Sequence, residues 1–320
     1  MLSQRDHNAG EVAVLSLSRT IHRINKAEAP TEFIADFEEG LSRTLFKEYE
    51  ATAQAALDSA LKAYKGKSTE AQVKAIEAAL TKNFAGFGAG LEGTVNKLIG
   101  IFYKEQVSEF INEFGLIKKA ARPEGEIGID FTLQDSEAIA ATELITVQSA
   151  GRYFPEQLAD KASEVIRRVV LESGLPIEEA SKVLESELRG ALGLEFSKVL
   201  PSQFKTNPSA YFDIVATNAS VQATAVGRMI AMDDAGVQKF RIVAILDRRT
   251  SAICRGLDGK EFAVKTAMTT VQSFLGVQSI QDLENLMGFS KADSAPDWAA
   301  QGLGFPPYHH GCRTTVVPVM

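Results

Sequence analysis

Phe33, Phe37, Leu41, Leu45 and Tyr49 recur at spacings of four, which lays one apolar stripe along one face of a helix. That face demands a covering partner, so the chain is committed to packing helices against one another. Pro30 and Thr31 suit the start of this helix: Thr31 can cap free backbone N–H groups, and Glu32 sits where the positive end of the helix dipole favours a carboxylate. The alanine-rich run Ala51 to Ala63 continues it with side chains small enough for close approach, and Gly66 and Lys67 end it. A helical pattern runs from Glu11 to about Lys119, with a second helix over Ser68 to Asn83. Gly86, Gly88, Gly90 and Gly93 then predict a helix-to-helix turn, because each glycine inside a helix costs about 0.5–1 kcal/mol.

Arg122-Pro-Glu-Gly-Glu126 breaks the pattern and reads as a linker. Beyond it, Leu158, Ala162, Val165, Ile166 and Val169 form a stripe closed by Ser173-Gly174, and Pro176 opens a helix whose buried face is Ile177, Ala180, Leu184, Leu188 and Ala191. These two predict an antiparallel hairpin. Tyr211, Ile214, Val215, Ala225, Met229 and Met232 mark a long helix from about Ser209 to Asp234, stopped by Ala235-Gly236. Phe240 to Leu246, apolar apart from Arg241 and partly β-branched, predicts a strand buried on both faces. Asp258-Gly259 suits a hairpin turn, and Thr314 to Val319 is a strand whose Pro318 belongs at a sheet edge. The expected fold is α+β and predominantly α-helical: an N-terminal helical region (1–121), a middle helical hairpin (122–208), and a small C-terminal domain (209–320) with a long helix and a short β-sheet.

With 320 residues and 45% of them hydrophobic, the chain can build two or three cores. Its net charge of −7 repels phosphate, so tight nonspecific DNA binding would need a local basic patch. The densest cluster, Lys118, Lys119 and Arg122, reads as a solvated helix end. Residues 1–8 carry both signs of charge and lead into no apolar run, so no secretory signal is expected. The window Phe84 to Tyr103 is interrupted by Glu92, Lys97 and five glycines, so no stable membrane insertion is expected either. Two cysteines are too few for a disulfide framework and fit synthesis in a reducing cytoplasm.

Chemical information concentrates in Asp247-Arg-Arg-Thr-Ser-Ala-Ile-Cys254, directly after the predicted strand, and in Pro306-Pro-Tyr-His-His-Gly-Cys-Arg313. These segments hold both cysteines and half of the four histidines. Cys254 and Cys312 are 58 positions apart, and a covalent link there would restrict the unfolded chain by roughly 4 kcal/mol. Three readings are open. Cys254, His309 and Cys312 are ligands that zinc prefers, with His310, Asp247 or water as a fourth donor and Ser251 standing where a Cys-x-x-Cys pair would begin. The cysteines can instead form a disulfide or remain small buried side chains. Or Cys254 is a nucleophile with His309 as its base, although no nucleophile elbow, phosphate-cradling loop or His-Glu-x-x-His helix accompanies it. Asp247, Arg249 and Thr250 are expected to organise the turn after the strand, or else to touch a ligand, and Arg313 admits the same pair of readings. Pro306-Pro307 predicts an extended approach to the histidines.

The arrangement Asp247-x-Arg249-Thr250-Ser251-x-x-Cys254-x-x-Leu257-x-Gly259-Lys260-x-Phe262, followed by Pro306-Pro307-x-His309-x-x-Cys312-Arg313, closely resembles the signature of the phage Mu protein F-like, head-morphogenesis domain. The resemblance covers about Ser209 to Met320 and weakens toward Tyr153. Two positions depart from it: Ser251, where many members carry a second cysteine, and His310 beside the matched His309. The resemblance implies a minor capsid protein of a tailed bacteriophage, present in few copies, made in the host cytoplasm and incorporated into the capsid interior near the portal. It implies portal, capsid or scaffolding proteins as partners and transient DNA contact on ejection; zinc is the one candidate cofactor from the Cys/His donors, and with no accompanying catalytic motif no enzymatic activity is expected. The alternative is an enzyme or toxin-like module using Cys254 and His309.

Overall fold

A computed structural model describes residues 30–88, 90–116, 131–194, 208–248, 250–287, 304–309 and 311–319. The linker expected at 122–126, the basic cluster at 118–122, and the candidate site residues Arg249 and His310 lie outside these. The fold is α+β and mostly helical, with a three-stranded antiparallel sheet near the C-terminus. In order come α1 (Pro30–Ala63), α2 (Glu70–Phe84), α3 (Glu92–Phe114), α4 (Leu133–Gly151), a π-helical turn (Phe154–Leu158), α5 (Ala159–Arg167), a second π-helical turn (Arg168–Glu172), α6 (Ile177–Ala191) and α7 (Pro208–Ala235). Then follow β1 (Lys239–Val243), α8 (Ala252–Leu257), β2 (Glu261–Ala263), α9 (Val264–Leu275), α10 (Ile280–Met287) and β3 (Thr315–Val319). No helix among the described residues is long and apolar enough to cross a membrane.

Two compact units assemble from discontinuous stretches. One takes Ser42–Leu91 and Ser149–Asp213. Its core is aromatic: Tyr49 meets Tyr153 edge-on at 5.3 Å, and Phe84 stacks on Phe154 at 3.8 Å. The Tyr49 hydroxyl donates to the Leu192 carbonyl at 2.5 Å, so its polar end is satisfied where the ring is buried. Thr69 caps α2 by accepting from the Gln72 N–H. In α5 and α6 the expected stripes are buried, with two exceptions: Val165 is half-buried and Ile177 is 59% exposed. Ile177 is the first residue of α6, where the helix has not yet completed a turn, and its side chain lies beside Gly66, whose φ of +67° admits no ordinary side chain.

Among the described residues, the other unit takes those up to Leu41, those of Glu92–Gln148 and those from Ile214 on. Here Phe37 of the opening stripe stacks on Phe102 at 4.0 Å. The Tyr103 hydroxyl donates to Asp135 Oδ1 at 2.6 Å, while Asp135 Oδ2 accepts from the Thr132 N–H at the start of α4. α7 approaches α3 at Gly227: a Cβ there would stand 2.5 Å from Val107 Cγ2 and 3.0 Å from Tyr103 Cε2, so the spacing of these helices requires glycine.

The sheet runs β2-β1-β3. Phe240 stands opposite Phe262 on one side and Pro318 on the other. Pro318 therefore lies on an edge strand, as its missing N–H requires. The prediction of a strand buried on both faces was wrong. β1 alternates, with Phe240 and Ile242 inside and Lys239, Arg241 and Val243 exposed, and it stops at Val243. Antiparallel sheets of this kind cover one face only. Ile245 and Leu246, at 54% and 61% exposure, belong to the loop that leads to the site. Asp258-Gly259 makes no strand-to-strand hairpin either. Asp258 (φ −55°, ψ 132°) and Gly259 (φ 74°) form a turn closed by Lys260 N–H to Leu257 O at 3.0 Å, joining α8 to β2. That backbone is of type II, which needs a positive φ at its second central residue only.

Candidate metal centre

The site lies within the unit that contains the sheet, where the chain leaves β1 and where the tail enters β3. Thr250 shapes the first segment: its hydroxyl accepts from the Asp247 N–H at 2.7 Å and donates to the Ile245 carbonyl at 2.5 Å. Arg255 fastens the same turn by donating to the Thr250 and Asp247 carbonyls at 3.0 and 3.2 Å. Ser251 is the N-cap of α8, its Oγ accepting from the Cys254 N–H at 3.2 Å. The cap sets the Cys254 side chain in the first turn of a helix that begins at the site.

The second segment is turned into place from the opposite direction. Phe305 packs edge-on against Phe274 of α9 at 5.8 Å, and the chain bends at Pro306, with a cis peptide bond between Pro306 and Pro307, instead of approaching extended. A tight turn follows, with Gly311 at φ +68° and the Cys312 N–H donating to the His309 carbonyl at 3.2 Å. Asn218, from α7, accepts the Gly311 N–H at 2.8 Å. Arg228, also on α7, donates to Thr315 Oγ1 at 2.8 Å and to the Val316 carbonyl at 3.2 Å, with its guanidinium 4.9 Å from the Phe110 ring centroid. The segments are clamped together by Arg313, whose Nη2 lies 2.7 and 2.8 Å from the two Asp247 oxygens.

At the junction, Cys254 Sγ is 3.6 Å from Cys312 Sγ and 3.2 Å from His309 Nε2. Ser251 Oγ is 2.8 Å from the same nitrogen. Both sulfurs are buried, and a small pocket bounded by Ile245, Ser251, Cys254, His309 and Thr314 opens onto the group. Cys254 is held below the ordinary thiol range, first by the hydrogen bond from Cys312 and then by His309, Ser251 and Thr314, against the opposing effect of burial. Cys312 is pushed up by that same bond to Cys254 and by burial. The two sulfurs are close enough to share a proton, with either as the donor.

The donor set fits a soft or borderline metal ion. Zinc bonds of about 2.3 Å to sulfur and about 2.0–2.1 Å to imidazole nitrogen put tetrahedral neighbours roughly 3.5–3.8 Å apart; the sulfurs meet that spacing at 3.6 Å, Cys254 Sγ and His309 Nε2 stand closer at 3.2 Å, and all three donor atoms lie within 4.8 Å of one another. Among the described residues the gathered donors are Cys254, His309 and Cys312. The Asp247 carboxylate faces Arg313 and is not among them. Gly259 shapes the far end of α8, and Pro307 lies buried ahead of His309. Sequence reasoning missed Asn218, Arg228 and Thr314. The first two sit on α7 far from the motif, and only Thr314, adjacent to Arg313, carried a positional signal.

Comparison with known families supplies the remaining observation. Residues 180–317 match phage Mu protein F like protein. The expected resemblance is borne out, and the match begins earlier than Ser209, within α6, while spanning every described site residue. It associates the chain with phage head morphogenesis. No curated protein and no solved structure matches it.

Proposed function

We propose that this chain is a minor capsid protein of a tailed bacteriophage whose Mu F-like region is tied together by a zinc ion and docks on the portal or the capsid interior during head assembly. The family match over the region that gathers Cys254, His309 and Cys312 carries this reading. Those three residues would hold the ion, with Ser251 Oγ or water completing the shell; when bound, the ion supplies a structural cross-link, without redox chemistry. The chain's own residues do the rest. Ser251 fixes the thiol at the start of α8, Asn218 fixes the turn carrying His309 and Cys312, and the Asp247–Arg313 pair holds the two segments in register. The protein would be made in the host cytoplasm, incorporated into the virion near the portal, and released with the DNA.

Purified particles analysed by mass spectrometry should contain the chain in few copies, and Cys254→Ser should abolish head assembly. Particles that lack the protein, or that assemble normally with the substitution, overturn the proposal. Elemental analysis of the full chain purified without chelator should find about one zinc per chain.

The 3.2 Å contact between Cys254 Sγ and His309 Nε2 also favours a second reading, a thiolate nucleophile paired with imidazole. Against it, the Cys254 N–H is already bonded to Ser251 Oγ and is not free to stabilise a developing oxyanion. A hydrolytic or transfer activity lost in Cys254→Ser while infectious particles survive would establish the enzyme reading in place of the structural one.

A further inference from the structure

The dithiol is arranged asymmetrically. Cys254 borders the pocket, whereas Cys312 is fully buried and does not line it, and the two sulfurs stand 3.6 Å apart. Of the two sulfurs only Cys254 belongs to a residue that lines the pocket, and the second is within one short movement of the first. Two thiols held like this are partners for thiol–disulfide exchange as well as for a metal.

We propose that Cys254 and Cys312 close to an intramolecular disulfide when the chain meets a low-molecular-weight disulfide, so that a covalent bond replaces the metal as the tie between α8 and β3. Cys254 gives up its proton and attacks one sulfur of the reagent RSSR, forming a Cys254–S–S–R bond and expelling RS⁻, which takes up that proton. Cys312 Sγ then attacks the Cys254 sulfur; the new S–S bond forms, the second RS⁻ leaves, and the Cys312 proton passes to it. Two electrons move from the protein sulfurs to the reagent, which is reduced to two thiols. A bound zinc would be released, because the disulfide removes both of its sulfur donors. The same 58-residue loop is thus closed in either state, by metal in a reducing compartment and by a disulfide in an oxidising one.

The proposal uses the residues of the metal reading, and the two can fail separately. The full-length chain, stripped of metal and reduced, is incubated with oxidised glutathione and followed by intact mass and peptide mapping. The wild type should lose the mass of two hydrogens, with both thiols disappearing together and no glutathione retained. Cys312→Ser should instead keep one glutathione, mapped to Cys254. Zinc added beforehand should slow closure and appear in solution in step with the disulfide. A wild-type chain that accumulates a stable glutathione adduct, or whose thiols both remain alkylatable, overturns the proposal whatever Cys312→Ser does. A chain that closes its disulfide but takes up no zinc defeats the metal reading alone, and one that binds zinc but does not close when stripped defeats this inference alone.

Discussion

The unit built around Tyr49 and the segment pair around Cys254 solve one problem, holding distant stretches of chain together, by opposite means. The first spreads the task over many rings, with Tyr49, Phe84, Tyr153, Phe154 and Phe212 packed together and only a few polar bonds needed. The second has a sheet with strands of only three to five residues, and relies on a handful of directed contacts at one point. Apolar burial is additive and forgiving in its geometry, so it scales with the length of helix available. A short antiparallel sheet covered on one face has little such area, and a cross-link between its flanking segments is a physical alternative to a larger core.

The sharpest way to break this comparison is to hollow the aromatic core. Tyr49→Ala should cost about 3–5 kcal/mol in denaturant unfolding, since it removes a fully buried ring and orphans the Leu192 carbonyl, while zinc per folded chain stays unchanged. A cost below about 1 kcal/mol would show that this core does not hold its unit. Gly227→Val tests close helix approach in the sheet-bearing unit. Overpacking against Val107 and Tyr103 should cost about 1–3 kcal/mol by the same measurement, and an unchanged midpoint would contradict the α3–α7 spacing.

Within the site the effects should be smaller and more specific. Ser251→Ala removes the cap of α8 and should destabilise by about 1 kcal/mol. Ser251→Cys should retain zinc longer against a chelator than the wild type, because a third thiolate would stand beside His309; faster loss would remove Ser251 from the metal's shell. Asp247→Asn should cost least, under about 1 kcal/mol, since the Asp247–Arg313 pair is partly exposed and screened. That difference should shrink further in high salt, as measured by thermal unfolding at two ionic strengths.

The sequence itself decided the helical character of the chain, the buried stripe from Phe33 to Tyr49, the edge position of Pro318 and the two segments that carry the thiols and imidazole. Each follows from local rules: a period of four, a missing N–H, and the scarcity of cysteine and histidine elsewhere. Only the tertiary structure decided that β1 alternates instead of burying both faces, that Ile177 stays at the surface, and that Asn218 and Arg228 of α7 support a turn and a strand roughly ninety residues later in the chain. Burial and long-range hydrogen bonds depend on which surfaces meet. That is settled by the packing of whole elements, and no short window of sequence contains it.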